Sequence, residues 1–300
     1  MKISMLLVAI VSVVVVACRG LQPSATPSGG LLQIVATTTV LADFVEHVGG
    51  DRVEVDSLVP AGGEVHTFDP APSDAARVES ADLLVVNGLG LDDWLLTYAE
   101  EVGAADLPVI VLAEDLDEVA YIEGGEEHAF NPHLWMNADY AAIYVDRIRL
   151  KLIELDAAGQ QTYDANADAY EEQLTELDAW VSQHFDAVPA DNRRIVSFHD
   201  AFRYFAAAYG LEIVGVVVEA PGQEPSAGEV AALVSAIRES GARAILAEEQ
   251  FSDDLARTIA EETDAELVSD LYTDSLGDPP LDNYDAIMRW DVERIVEALT

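Results

Sequence analysis

The chain has 300 residues, half of them apolar, and a formal net charge of −41. The apolar share supports a buried core and excludes a disordered chain, while the scarcity of Lys and Arg excludes nucleic acid as a partner, because phosphates need cations. Cys18 is the only cysteine, which excludes an internal disulfide and a thiolate metal cluster.

Residues 1–17 carry one cation, Lys2, ahead of an apolar run. A spanning helix needs about 20 apolar residues, so this shorter run predicts a signal peptide that is removed. The run ends in "VVAC", a lipobox-like site that makes Cys18 the expected lipidated N-terminus of the mature chain. Residues 18–30, rich in Gly, Ser, Pro and Thr, read as a tether.

Residues 31–159 alternate strand-like runs ("LQIVATT", "VEVDSLV", "DLLVVNG", "PVIVLAE") with amphipathic stretches ("VLADFVEHV", "SDAARVES", "LDDWLLTYAEEV"). Continuous apolar strands alternating with helices predict a parallel sheet covered on both faces. "NGLGLDD" lacks the spacing of a dinucleotide fingerprint, and Gly88 and Gly90 read as a turn after a strand.

Within residues 160–188, Tyr163, Tyr170, Leu174, Leu177, Trp180 and Val181 recur at helical spacing until Pro189. A helix of about 25 residues reaches nearly 40 Å, long enough to join two lobes. Residues 189–300 then repeat the opening rhythm with "RRIVSFH", "LEIVGVVV", "ARAILAEE" and "AELVSDL". The expected fold is α/β: two lobes, each a mainly parallel sheet flanked by helices, joined by one long helix. Ligands of such sheets bind beyond the C-terminal strand ends.

There are six histidines. His66 follows a strand and the Gly62-Gly63 turn, His133 sits just behind Pro132, and His199 ends "RRIVSF" at the start of an expected helix. All three stand at strand exits or loop-to-helix junctions, where a ligand crevice forms. His47 lies at a helix end where a cation meets the dipole favourably, His184 reads as a solvent-facing helix residue, and His128 belongs to the polar loop "EGGEEHAF". Three imidazoles need another donor to close a tetrahedral site. The best acid is Asp274 in "DLYTDSLGDPP", after the last strand of the second half and beside His199 by topology. Imidazole suits Zn²⁺, Cu, Fe and Ni, and a carboxylate extends the range toward Mn²⁺.

These motifs resemble the metal-binding lipoproteins of bacterial zinc and manganese ABC transporters, the TroA or ZnuA type. The resemblance covers essentially the whole mature chain and is carried by "GGEVHTFDPAPSD", "ADLLVVNGLGLDDWL", "NPHLWMNADYA", "VSFHDAFRYFAAAYGL", "EPSAGEVAALVSAIRESGARAILAEEQ" and "YTDSLG". It implies that His66, His133, His199 and Asp274 are the metal ligands, and that the metal lies between two lobes joined by one long helix. Manganese members commonly carry glutamate where this chain has His199. A His₃Asp set therefore points to Zn²⁺, with Mn²⁺ or Fe²⁺ as the alternative cargo.

The resemblance implies capture of the ion outside the cytoplasmic membrane, in the periplasm or on the membrane's outer face, and delivery to an ABC permease. The chain is expected to act as a lipid-anchored monomer. Energy must come from a partner ATPase, since the chain contains no "GxxxxGK[ST]". A zinc hydrolase would leave a water position open, whereas Asp274 fills the fourth position here and no "HExxH" is present; the chain is expected not to be an enzyme. An adhesin-like surface lipoprotein with an incidental metal is a third reading. Glu64 is a candidate to hold a ligand imidazole. Affinity should fall as pH drops through the ordinary histidine pKa, near 6.5. One stiff connector predicts small lobe movement on release. The negative field is screened within about 8 Å at physiological salt, so it speeds encounter with cations without defining a site; its plainest reading is a solvated surface suited to salt.

Overall fold

The four apolar runs of each half form one sheet apiece, and every pairing within the sheets is parallel. The protein is represented by a computed structural model that describes residues 30–124, 129–218 and 221–300. The expected signal peptide, residues 18–29 of the tether with the lipidation site Cys18, and His128 lie outside the described residues. No helix among the described residues is long and apolar enough to cross a membrane.

The first sheet contains β1 (Leu32–Ala36), β2 (Val53–Ser57), β3 (Leu83–Val86) and β4 (Val109–Val111) in the order β2-β1-β3-β4. The second contains β5 (Arg194–Ser197), β6 (Glu212–Val216), β7 (Ala244–Glu248) and β8 (Glu266–Leu271) in the order β6-β5-β7-β8. Inner strands β3 and β7 are buried at every residue, because helices cover both faces, whereas in edge strand β2 only Val53 is buried and Glu54 and Asp56 are exposed. In both sheets the chain runs from the first strand to one edge, then returns past it to the other side. This reversal opens a crevice beyond the C-terminal strand ends.

Helices α1 (Thr39–Gly49), α2 (Asp74–Glu79) and α3 (Asp93–Glu101) accompany the first sheet, followed by α4 (Ala138–Leu155). Helices α6 (Arg203–Tyr209), α7 (Ala227–Ser240), α8 (Asp254–Glu262) and α9 (Tyr284–Leu299) accompany the second. Their starts are written locally. The Thr38 hydroxyl accepts the Leu41 N–H ahead of α1, Asn283 accepts the Ala286 N–H in α9, and Ser226 with Glu229 forms a reciprocal capping box on α7.

Between the halves runs α5 (Gln160–Asp186), 27 residues or about 40 Å long. Its buried stripe is Tyr163, Ala167, Tyr170, Leu174, Leu177, Val181 and Phe185. Trp180 departs from the expected stripe: it is half-buried at the stripe's margin, and the Arg289 guanidinium lies 4.7 Å from its ring. The start of α5 is held by Arg52, which is buried and donates from Nε to Asp156 Oδ2 at 2.8 Å, while the Tyr163 hydroxyl donates to the same oxygen.

α5 packs against α1 and α4, which accompany the first sheet, and against α6 and α9, which accompany the second. The ring of Phe44 in α1 touches those of Tyr144 in α4, Tyr170 in α5 and Tyr284 in α9, with centroids 6.4, 6.2 and 5.0 Å away. One apolar core therefore runs from Ile34 of the first sheet, along α5, to Leu246 of the second. Asp43 is buried within this seam and accepts from the Tyr170 hydroxyl and the Tyr284 backbone N–H.

Candidate metal centre

His199 and Asp274 stand just past the C-terminal ends of β5 and β8, His66 lies on the loop that leaves β2, and His133 caps a short 3₁₀ turn on the longer connection after β4. Beyond β2, Gly62 takes φ +69°, and a Cβ on Gly63 would lie 2.8 Å from the Pro60 carbonyl oxygen, so the turn ahead of His66 needs both glycines. Glu64 Oε1 then accepts the His66 backbone N–H at 2.7 Å. Beyond β4, Asn131 and Pro132 deliver His133 into a 3₁₀ turn, Leu134–Met136. His199 follows β5, with its carbonyl accepting from Ser197 Oγ and the Ala201 N–H. Helix α6 begins only at Arg203, later than expected, because residues 199–202 form a turn that aims the imidazole. Asp274 follows β8, and Asp291 of α9 accepts the Tyr272 N–H at 3.0 Å ahead of it.

The structure brings all four side chains together. One donor atom from each of His66, His133, His199 and Asp274 lies within 4.8 Å of all the others. His133 and His199 face each other with Nε2 atoms 3.2 Å apart. Asp274 Oδ1 lies 3.4 Å from His133 Nε2, while its Oδ2 lies 3.5 Å from His199 Nε2 and 3.8 Å from His66 Nε2. A tetrahedral ion bound at about 2.0–2.1 Å sets its ligand atoms about 3.3 Å apart. The donors therefore converge at the spacing a first-row cation needs.

Two contacts orient the rings. Asn131 Oδ1 accepts the His133 backbone N–H at 3.1 Å and lies 3.0 Å from His133 Nδ1. Since this oxygen can only accept, the His133 proton belongs on Nδ1 and the Nε2 lone pair faces inward. Glu248 Oε1, at the end of β7, lies 2.6 Å from His199 Nδ1 and turns the second Nε2 the same way. Glu64, the candidate to hold a ligand imidazole, has its Oε1 on the His66 backbone N–H.

Negative charge dominates the surroundings. Burial opposes protonation of His199, but the Glu248 and Asp274 carboxylates override it and push its pKa up to about 9. Burial raises the Asp274 carboxyl, against the pull of His199 and reinforced by Glu64 and Glu248. Asp274 Oδ1, Glu248 Oε2 and Glu64 Oε2 are buried without a hydrogen-bond partner among the described residues. Orphaned carboxylate oxygens are costly unless a cation compensates them.

The remaining described histidines serve elsewhere. His47 stacks on Tyr170 at 4.0 Å with Nδ1 on the Asp43 carbonyl oxygen; burial lowers its pKa, but Asp43 wins and raises it overall. His184 is half-buried rather than solvent-facing, with its ring 3.8 Å from that of Trp180. Reading the sequence did not assign roles to Asn131 and Glu248. The signal for Glu248 was an acid ending an otherwise apolar inner strand. The signal for Asn131 was a polar residue two positions before a proline-fixed histidine.

Comparison with known proteins identifies the family and the fold. Residues 34–298 match the family model "ZnuA: Zinc-uptake complex component A periplasmic". The iron-binding protein YfeA of Yersinia pestis is 32% identical over 267 residues, covering 88% of this chain and 85% of YfeA. The manganese-binding lipoprotein MntA of Halalkalibacterium halodurans is 29% identical, covering 97% and 96% of the two chains. Among solved structures, the Mn-bound periplasmic metal binding protein from Candidatus Liberibacter asiaticus superposes with TM-score 0.79 at 26% identity, covering 89% of this chain and 99% of its own. The periplasmic zinc binding protein TroA from Treponema pallidum shares the fold with TM-score 0.82 at 24% identity, covering 90% and 100%. With the model matched across both sheets and the joining helix, this chain belongs to the ZnuA family and is a metal-binding solute-binding protein of the ABC importer type.

Proposed function

We propose that this protein is the extracytoplasmic solute-binding component of a metal ABC importer, taking Zn²⁺ as cargo on His66, His133, His199 and Asp274 and handing it to a membrane permease. The observation that carries this reading is the convergence of three imidazoles and one carboxylate, contributed by both sheets, around buried oxygens that lack partners. Three nitrogen donors and one oxygen suit tetrahedral zinc. Cys18 would anchor the chain through lipid, with residues 18–30 as tether, and a partner ATPase would supply the energy. Residues 31–159 and 189–300 would form the two lobes, with residues 160–188 between them, and the protein would work as a monomer without catalysing a reaction.

The test is calorimetric competition of Zn²⁺ against Mn²⁺ on the chelator-stripped mature chain, repeated with His133→Ala. Preference for zinc, lost in the variant, supports the reading. Unchanged zinc binding in the variant rejects the site, and zinc-dependent hydrolytic turnover would reopen the enzyme reading.

A second reading keeps the site and changes the cargo to Mn²⁺ or Fe²⁺. Its support is that both Asp274 oxygens face histidines and could bind one ion together, raising the coordination number, and that relatives are named for manganese and iron. Mn²⁺ winning the same competition would favour it.

A further inference from the structure

Asn131 is buried and joins the loop of one ligand to the loop of another. Its Oδ1 holds His133 twice, at the backbone N–H and at ring Nδ1. Its Nδ2 donates across the cleft to the Asp200 carbonyl at 2.6 Å, with the Asp200 carboxylate 3.3 Å away. Asp200 is the neighbour of His199. The orientation of the amide is fixed chemically: only the oxygen can accept the His133 N–H, and only the nitrogen can serve two Asp200 oxygens. The second half of the chain also grips the same segment through Tyr204 of α6, whose hydroxyl donates to the Asn131 carbonyl and accepts the Ile122 N–H, both at 3.1 Å.

We propose that Asn131 is a positioning residue that couples the two halves of the site, its Oδ1 aiming His133 and its Nδ2 pinning the His199 loop, so that one side chain sets the His133–His199 separation and the rate of metal release. This rests on the metal-binding reading above. A residue that only oriented His133 could as well be aspartate, which accepts equally. An aspartate would lack the donor and set a carboxylate against the Asp200 oxygens. The amide is the side chain of this size that carries both an acceptor and a donor.

The test compares wild type, Asn131→Ala, Asn131→Asp and Tyr204→Phe as full-length chains in detergent. Zn²⁺ release into excess chromogenic chelator is timed by stopped flow, and the visible absorption of bound Co²⁺ reports ligand geometry. The alanine variant is expected to release zinc at least tenfold faster with an altered cobalt spectrum. The aspartate variant should keep the wild-type spectrum, because His133 is still held, yet release zinc severalfold faster because the cross-cleft donor is gone. Tyr204→Phe should also speed release with an unchanged spectrum. Added negative charge alone predicts the opposite for Asn131→Asp, so release as slow as or slower than wild type overturns the proposal, as do identical spectra and rates in the Ala and Asp variants. Failure of the wild type to bind either metal would instead overturn the metal-binding reading, and this inference with it.

Discussion

His199 Nδ1 and Glu248 Oε1 lie 2.6 Å apart in the buried floor of the candidate site, although 49 residues separate them. Strand register explains the meeting. β5 and β7 pair in parallel with Ser197 level with Leu246, and the Phe198 N–H donates to the Leu246 carbonyl. Two residues further on the same face stand His199 and Glu248. The carboxylate holds the imidazole proton on Nδ1 and makes Nε2 a more basic donor.

Replacing Glu248 with glutamine keeps a hydrogen-bond acceptor but removes the charge. Zinc affinity is expected to fall about 10–100-fold, the usual effect of losing a partner of a ligand histidine, while the chain stays folded. Calorimetry beside circular dichroism reads both; affinity within twofold of wild type would show that the charge on Glu248 is dispensable.

The pH range of binding follows from the same contact. With its pKa near 9, His199 carries a proton in the metal-free protein at neutral pH, and an arriving ion must displace it. Zinc affinity should therefore keep rising between pH 7 and 9, by about tenfold per unit for one displaced proton, rather than levelling off above the ordinary histidine range. The stability of the metal-free fold runs the other way. A pKa raised on folding contributes stability that is present below the unfolded value and lost as pH climbs through 9. The gain in Tm on adding zinc should thus grow across this window, as pH-resolved melting curves would reveal.

Asp274→Asn removes a carboxylate whose ionisation burial disfavours. Zinc should no longer raise the melting temperature, yet the metal-free variant at pH 8 should melt no lower than wild type, because a buried charge has gone. A marked drop in the metal-free Tm would mean that Asp274 supports the fold rather than the ion.

Leu174 lies on the buried stripe of α5, within the core shared by both sheets. Leu174→Ala should cost about 2–5 kcal/mol, lowering Tm by about 4–9 °C for a chain of this length. Since the core is continuous, the loss should appear as one shifted transition in calorimetry. Two separated transitions would mean that the lobes unfold independently.

The alternation of strand and helix, the joining helix and the four candidate ligands were legible in the sequence because each leaves a local mark. Apolar periodicity reports which face is buried; His66, His199 and Asp274 follow strand-like runs, and His133 stands behind Pro132 at a loop-to-helix junction. Trp180 shows where such reading strays: its spacing fits the stripe, but packing decides which neighbour of Leu177 turns inward, and Val181 does.

The sequence by itself determined the kinds of donor available, the loops that carry them and the rhythm that builds two parallel sheets. Only the tertiary structure decided that Glu248 faces His199, that Asn131 bridges to Asp200, and that Glu64 serves a backbone N–H. Those pairings depend on strand register and on how the halves close, over separations no local pattern records. The raised pKa of His199 belongs to the same class, since desolvation and the summed field of several carboxylates exist only once the chain has brought them together.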